Sequence, residues 1–230
     1  MIVFDLDDTL YKERDFVASG YHAVARYFAE IYHFDKDEMF QVMTSAPVNP
    51  FDSLEEYLIN RGVQRDVKVE ETIPQMVETY RNHFPDIKLD SDVVDTLHEL
   101  QSQGHTLALI TDGRAITQTN KIKALGLDKI MDPELISISG IIGAEKFTPL
   151  PFERMMQLHP DTNYIYVGDN PMKDFVWPNR LGWSTIQLLD NGRNVHSQSM
   201  AVPSEDYLPQ YKISAITEIP RLINDDSFIR

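Results

Sequence analysis

Acidic and hydroxylated side chains stand at the ends of this chain's short apolar runs, where a parallel sheet would gather them. Ile2-Val3-Phe4 runs into Asp5-Leu6-Asp7-Asp8-Thr9, and Thr106–Ile110 runs into Thr111-Asp112-Gly113. Tyr164–Val167 runs into Gly168-Asp169, with Asp174 a little further on, and Lys146 stands in a loop ahead of Pro151. Ligands of open α/β sheets bind at the carboxyl ends of the strands. Asp5, Asp7, Thr111, Lys146, Asp169 and Asp174 are therefore expected along one edge. Any one of these acids reads equally well as a helix cap; together they are harder to dismiss. Carboxylates crowded into one crevice repel unless a cation lies among them. Oxygen ligands with no Cys or His nearby select a hard ion, Mg²⁺. Thr111 and Lys146 add donors for an anion, and Gly113 lets a backbone N–H approach it closely. An acid nucleophile, a hard cation and anion donors describe phosphoryl transfer through an aspartyl phosphate.

The elements that must position these residues are legible as alternating strands and helices. Beyond the three runs above, Leu135–Ile138 and Ser184–Leu188 read as strands. Helices are predicted from Ser91, as cap, to Gln103 with a stop at Gly104, over Ala115–Leu125 with a stop at Gly126, over Pro151–Leu158 and near Lys173–Leu181. Short apolar strands separated by helices indicate a Rossmann-like α/β fold, a parallel sheet covered on both faces. Between the first and second strands, residues 13–89 carry only helical patterns. Phe16, Val17, Val24, Phe28 and Ile31 recur at helical spacing, further signals cover Lys36–Met43 and Glu70–His83, and Ser53 with Glu56 reads as a capping box ahead of a stop at Gly62. This block is expected as an insertion, which divides the chain into 1–12 with 90–230 and 13–89. Asp190–Pro203 reads as a polar loop.

Four motifs in order, FDLDDTL at 4–10, ITDG at 110–113, Lys146 within GAEKFTP, and VGDNPMKD at 167–174, resemble those of the haloacid dehalogenase (HAD) superfamily. The resemblance spans the predicted core, and the helical insertion looks like that superfamily's C1-type cap. It implies Asp5 as nucleophile and Mg²⁺ ligand, and Asp7 as general acid and then base, with its backbone carbonyl on the metal. It implies Thr111 and Lys146 as catalytic and phosphate-binding, with Asp112 and Gly113 beside the phosphate. Asp169 would bind Mg²⁺ directly, and Asp174 would act through metal-bound water or by orienting Lys146. True dehalogenases lack an acid at the position of Asp7, so the resemblance points to phosphatases. The stretch 110–127 looks like the branch of N-acylneuraminate-9-phosphatase-like members, which implies a sugar or sugar-acid phosphate. Two positions depart from the pattern: Asp112, where Asn or Ser is usual, and Phe147, where Pro is common.

Composition bounds the alternatives. In 230 residues, 21 basic against 36 acidic side chains leave a formal net charge of −15. That excludes general nucleic-acid binding and disfavours anionic membranes. With no Cys, a disulfide scaffold, a zinc-thiolate site and a cysteine nucleophile are excluded. MIVFDLDD does not read as a signal peptide, and no apolar run approaches the roughly 18 residues of a membrane helix. The expectation is a cytoplasmic enzyme acting on a small phosphorylated metabolite, as monomer or homodimer. Its rivals are a phosphomutase with the same nucleophile, a receiver-like phosphorylated switch, and a HAD-like scaffold that only binds. The His residues show no paired metal spacing. Lys12, Arg14 and Arg114 read as solvated charges within reach of a substrate, Tyr11, Tyr21, Tyr27, Phe28 and Tyr32 as the core of the insertion, and Trp177 and Trp183 as packing residues.

Overall fold

The three strands that end in acids or hydroxyls lie side by side. Strand β1 (Ile2–Phe4) is flanked by β2 (Leu107–Thr111) and β4 (Ile165–Gly168). With β3 (Ile136–Ile138), β5 (Ser184–Leu188) and β6 (Tyr211–Ile213) they form a parallel sheet of order β3-β2-β1-β4-β5-β6. The computed structural model describes residues 1–47, 49–63, 72–160, 163–199, 201–225 and 228. The chain winds outward from β1 in both directions, so the switch point falls between β1 and β4. β1, β2, β4 and β5 are buried along their whole length, as strands covered on both faces must be.

Contacts divide the chain into two units, Met1–Arg14 with Lys88–Arg230, and Asp15–Ile87. In the first, the sheet is accompanied by α5 (Ser91–Ser102), α6 (Ala115–Ala124), α7 (Ser139–Ile142), α8 (Leu150–Leu158), α9 (Val176–Arg180) and α10 (Ile219–Ile223). Its core joins Val3, Ala108, Ile110 and Tyr166 to Phe152, Phe175 and Trp183. The Trp183 ring stacks on Tyr164 at 4.4 Å. The second unit is helical among its described residues. It holds most of α1 (Glu13–Tyr32), with α2 (Lys36–Thr44), α3 (Pro50–Asn60) and α4 (Thr72–Asn82), around Val24, Phe28, Met39, Met43, Leu54, Leu58 and Met76.

Several local expectations are corrected. Helix α3 starts before Ser53: Asn49 caps it by accepting from Phe51 N–H, and Pro50 supplies the first turn. Asp90, not Ser91, holds the cap position of α5, and its side chain makes no cap bond. Ile31 is 48% exposed and Tyr27 39%, because the end of a surface helix turns part of its apolar pattern outward. The helix expected from Lys173 begins only at Val176, since Asn170 N–H donates to the Asp174 carboxylate and shapes a turn there. Strand β6 and helix α10 were not foreseen. They are three and five residues long, too short for periodicity to register. Residues 70 and 71 of the helix expected over Glu70–His83 lie outside the described residues. No helix among the described residues is long and apolar enough to cross a membrane.

Candidate active site

Asp5 leaves the end of β1 with its N–H donating to Val167 O on β4 at 2.8 Å. The neighbouring strand ends deliver Thr111 from β2 and Asp169 from β4. Lys146, 3% exposed, reaches them from the loop before α8. Its ammonium donates to Asp5 Oδ1 at 2.5 Å and to Asp174 Oδ1 at 2.7 Å. Asp174 is fully buried and accepts further from Tyr166 Oη (3.2 Å) and Asn170 N (2.8 Å). Burial works against the charge on Lys146, but Asp174 and Asp5 outweigh it and hold its pKa well above the usual value. Asp112 also belongs to this group. Its carboxylate accepts from the backbone N–H of Lys146 at 3.1 Å and so anchors the loop that carries the lysine.

Asp5, Asp169 and Asp174 present carboxylate oxygens within 4.8 Å of one another. Burial, against the pull of Lys146, raises Asp5 well above its ordinary pKa. Burial and then Asp174 raise Asp169 to about 7. Three carboxylates share one ammonium, so in their ionised forms they leave two negative charges that a divalent cation would match. The donor set is all hard oxygen, which suits Mg²⁺ in kind as well as in charge.

The Asp7 carboxyl has different company. Its Oδ1 accepts from Tyr11 Oη at 2.5 Å and Lys121 Nζ at 2.7 Å, and its Oδ2 accepts from Gln118 Nε2 at 3.0 Å. Burial alone would raise its pKa, but the Lys121 ammonium and the three donated hydrogen bonds bring it below the ordinary carboxylate value. Burial and then the Asp7 charge keep the Tyr11 phenol protonated, which makes it a donor. Gln118 Nε2 also donates to Thr111 Oγ1 at 2.6 Å. Gly113 has φ +148°, and its N–H donates to Ser139 Oγ at 2.9 Å. The N–H expected to face an anion is engaged there.

These groups open onto a crevice lined by Asp5, Asp7, Thr111, Asp112, Lys146, Asp169 and Asp174 among others. Residues the sequence reading did not single out complete it. Asp8 accepts from Glu13 N and Val195 N. Asn194 donates to Asp169 Oδ2 at 2.9 Å while accepting from Lys12 Nζ at 2.7 Å and Arg14 at 3.4 Å. Lys12 and Arg14 are thus tied to the 190s loop. Tyr11 belongs to Asp7 and not to the core of the insertion. His196 lines the crevice, 4.0 Å from Glu13, and burial with the nearby Asp7 charge raises Glu13 to about 7. A signal for Gln118 and Lys121 was present: two polar residues at i, i+3 on a helix that starts a few residues after Thr111.

A profile described as haloacid dehalogenase-like hydrolase matches residues 2–187. A glyceraldehyde 3-phosphate phosphatase of Methanopyrus kandleri is 25% identical over 97% of both chains. Another from Methanocaldococcus jannaschii is 24% identical over 97% of this chain and 96% of its own. A ribulose-1,5-bisphosphate 5-phosphatase of Halopiger xanaduensis is 26% identical over 62% of this chain and 59% of its own. Among solved structures, a HAD phosphatase from Thermococcus onnurineus superposes with TM-score 0.56 at 19% identity, covering 97% of each chain. At that identity the likeness speaks for the fold.

Proposed function

The chain belongs to the haloacid dehalogenase-like hydrolases, and from that premise we propose that it hydrolyses a small sugar phosphate with Mg²⁺, through an aspartyl phosphate on Asp5. It is a phosphoric monoester hydrolase, as its full-length relatives are phosphatases. The observation that carries the finer reading is the division between Asp5 and Asp7. Two residues apart, one sits in an acid cluster under Lys146 and the other in a separate clasp of Lys121, Tyr11 and Gln118. Neighbouring carboxyls in contrasting surroundings are how a site assigns a nucleophile and an acid/base.

In this reading Asp5 attacks phosphorus, forming its O–P bond as the ester P–O bond breaks. Asp7 gives its proton to the departing oxygen. A water then attacks the aspartyl phosphate, Asp7 takes a proton from it, and Asp5 is released with inorganic phosphate. The bound phosphate dianion adds negative charge beside Asp7 and favours its protonation for the first step. Lys146 and the Thr111 hydroxyl hold phosphoryl oxygens, and Asp174 orients Lys146 through their 2.7 Å bond. Asp5, Asp169 and the Asp7 backbone carbonyl would hold Mg²⁺, with Asp174 behind them. When bound, the ion offsets charge on the phosphoryl group and aligns it with Asp5. The names of the relatives support triose and pentulose phosphates as candidate substrates, with sugar-acid phosphates as the further class implied by the sequence resemblance.

The test is release of inorganic phosphate, with Mg²⁺ or with EDTA, from 4-nitrophenyl phosphate, glyceraldehyde 3-phosphate, ribulose 1,5-bisphosphate and N-acylneuraminate 9-phosphate. Multiple turnovers that need Mg²⁺ and fall at least about 10⁴-fold in Asp5→Asn support the reading. Turnover that survives Asp5→Asn would overturn it.

A further inference from the structure

Building on the phosphatase reading, we propose that Gln118 and Lys121 are positioning residues, through which helix α6 sets the geometry of Asp7 and the direction of the Thr111 hydroxyl proton. The side-chain amide of Gln118 has two N–H groups, and its nitrogen lies 3.0 Å from Asp7 Oδ2 and 2.6 Å from Thr111 Oγ1. A hydroxyl has one proton to donate. Since Thr111 Oγ1 accepts from Gln118, its own O–H is directed away from the amide, and the crevice that Thr111 lines is where a phosphoryl oxygen would receive it. The second amide N–H fixes Asp7 Oδ2. Lys121, 3% exposed, approaches Asp7 from the next turn of the same helix and fixes Oδ1 at 2.7 Å. Gly113 lets this happen: a Cβ there would stand 2.9 Å from Gln118 Cδ. One helix face thus locks the phosphate donor and the acid/base group to each other.

The locking matters most when the departing oxygen needs a proton. An alkoxide is a strong base and leaves only as it is protonated, whereas 4-nitrophenolate leaves without help. The parameter to compare is kcat/KM, which reads only as far as cleavage of the ester bond. Lys121→Met removes a charge that disfavours protonation of Asp7 but also leaves its carboxyl unheld, and the misplacement should dominate: kcat/KM should fall about 100-fold for glyceraldehyde 3-phosphate and at most about fivefold for 4-nitrophenyl phosphate. Lys121→Arg should recover part of the loss. In an Asp7→Asn background, Lys121→Met should cost nothing more, because it acts through Asp7. Gln118→Leu, which removes no charge, keeps the proposal testable if Lys121→Met does not fold. It should raise the inhibition constant of inorganic phosphate about tenfold, the worth of one hydrogen bond to a charged group. Equal losses on the two esters, or additive losses with Asp7→Asn, overturn the role of Lys121. An unchanged phosphate inhibition constant overturns the role of Gln118. Failure of the phosphatase reading looks different: wild-type turnover is then absent or indifferent to Asp5→Asn.

Discussion

Asp5 and Asp169 are acids whose surroundings disfavour their charge, and that fixes how metal-free protein answers to pH. Asp169 and Glu13 are raised to about 7 from 3.8 and 4.5, and Asp5 is raised well above 3.8. Between about pH 4 and 7 the folded chain therefore keeps protons that the unfolded chain has lost, and stability falls as pH rises. Asp7 is lowered and acts in the opposite sense, but only below about pH 4, where its unfolded form begins to protonate. Thermal melts in EDTA from pH 5 to 8 should show Tm dropping by about 5 °C or more, with Mg²⁺ flattening the trend. Asp5→Asn should raise Tm in EDTA at pH 7.5 while abolishing turnover. Asp8 predicts the contrary outcome. It is buried at φ +59° and accepts from the N–H groups of Glu13 and Val195. Asp8→Ala strands both donors and should cost about 2–3 kcal/mol in urea denaturation.

At the scale of elements, the site depends on how closely strand ends and turns approach. Gly168 ends β4 where a Cβ would fall 2.6 Å from Asp174 Oδ2. That carboxylate is held by Lys146, Tyr166 and Asn170, so it cannot move aside cheaply. Gly168→Ala should lower Tm by several degrees and kcat by about 100-fold. Excess Mg²⁺ should restore the rate at most in part, because moving Asp174 disturbs the carboxylate cluster and also the Lys146 that it holds. Strands β1, β2 and β4 were readable because each is a buried, mostly apolar run with a polar end. The turn at 171–175 was not, because hydrogen bonds between Asn170 and Asp174 override the helical pattern there.

The whole molecule works against its own ligand. A chain of formal charge −15 repels a phosphate monoester, so the attraction must be local, from lysines such as Lys146 and Lys173 in the crevice and the cation the carboxylates would hold. Raising ionic strength from about 0.01 to 0.1 M shortens the Debye length from roughly 30 to 10 Å. At fixed free Mg²⁺, kcat/KM for an anionic ester should therefore rise about two- to fivefold. A fall would mean that a local positive field guides the substrate.

The sequence by itself determined the fold class and, for β1, β2 and β4, which polar residues stand at the strand ends, because these central strands are mostly apolar and the ligand edge begins where that run stops. Asp5, Thr111 and Asp169 follow from that alone. Tertiary structure decided the partners. Lys121 meets Asp7 across 114 positions, Lys146 meets Asp5 across 141, and Asn194 meets Lys12 across 182. None of these distances is encoded in local spacing. They depend on the rotation of α6 about its axis and on loops returning to the same edge, and only packing of the complete sheet fixes those. The same packing separates Asp5 from Asp7, so two neighbouring carboxyls acquire different charge partners and opposite pKa shifts.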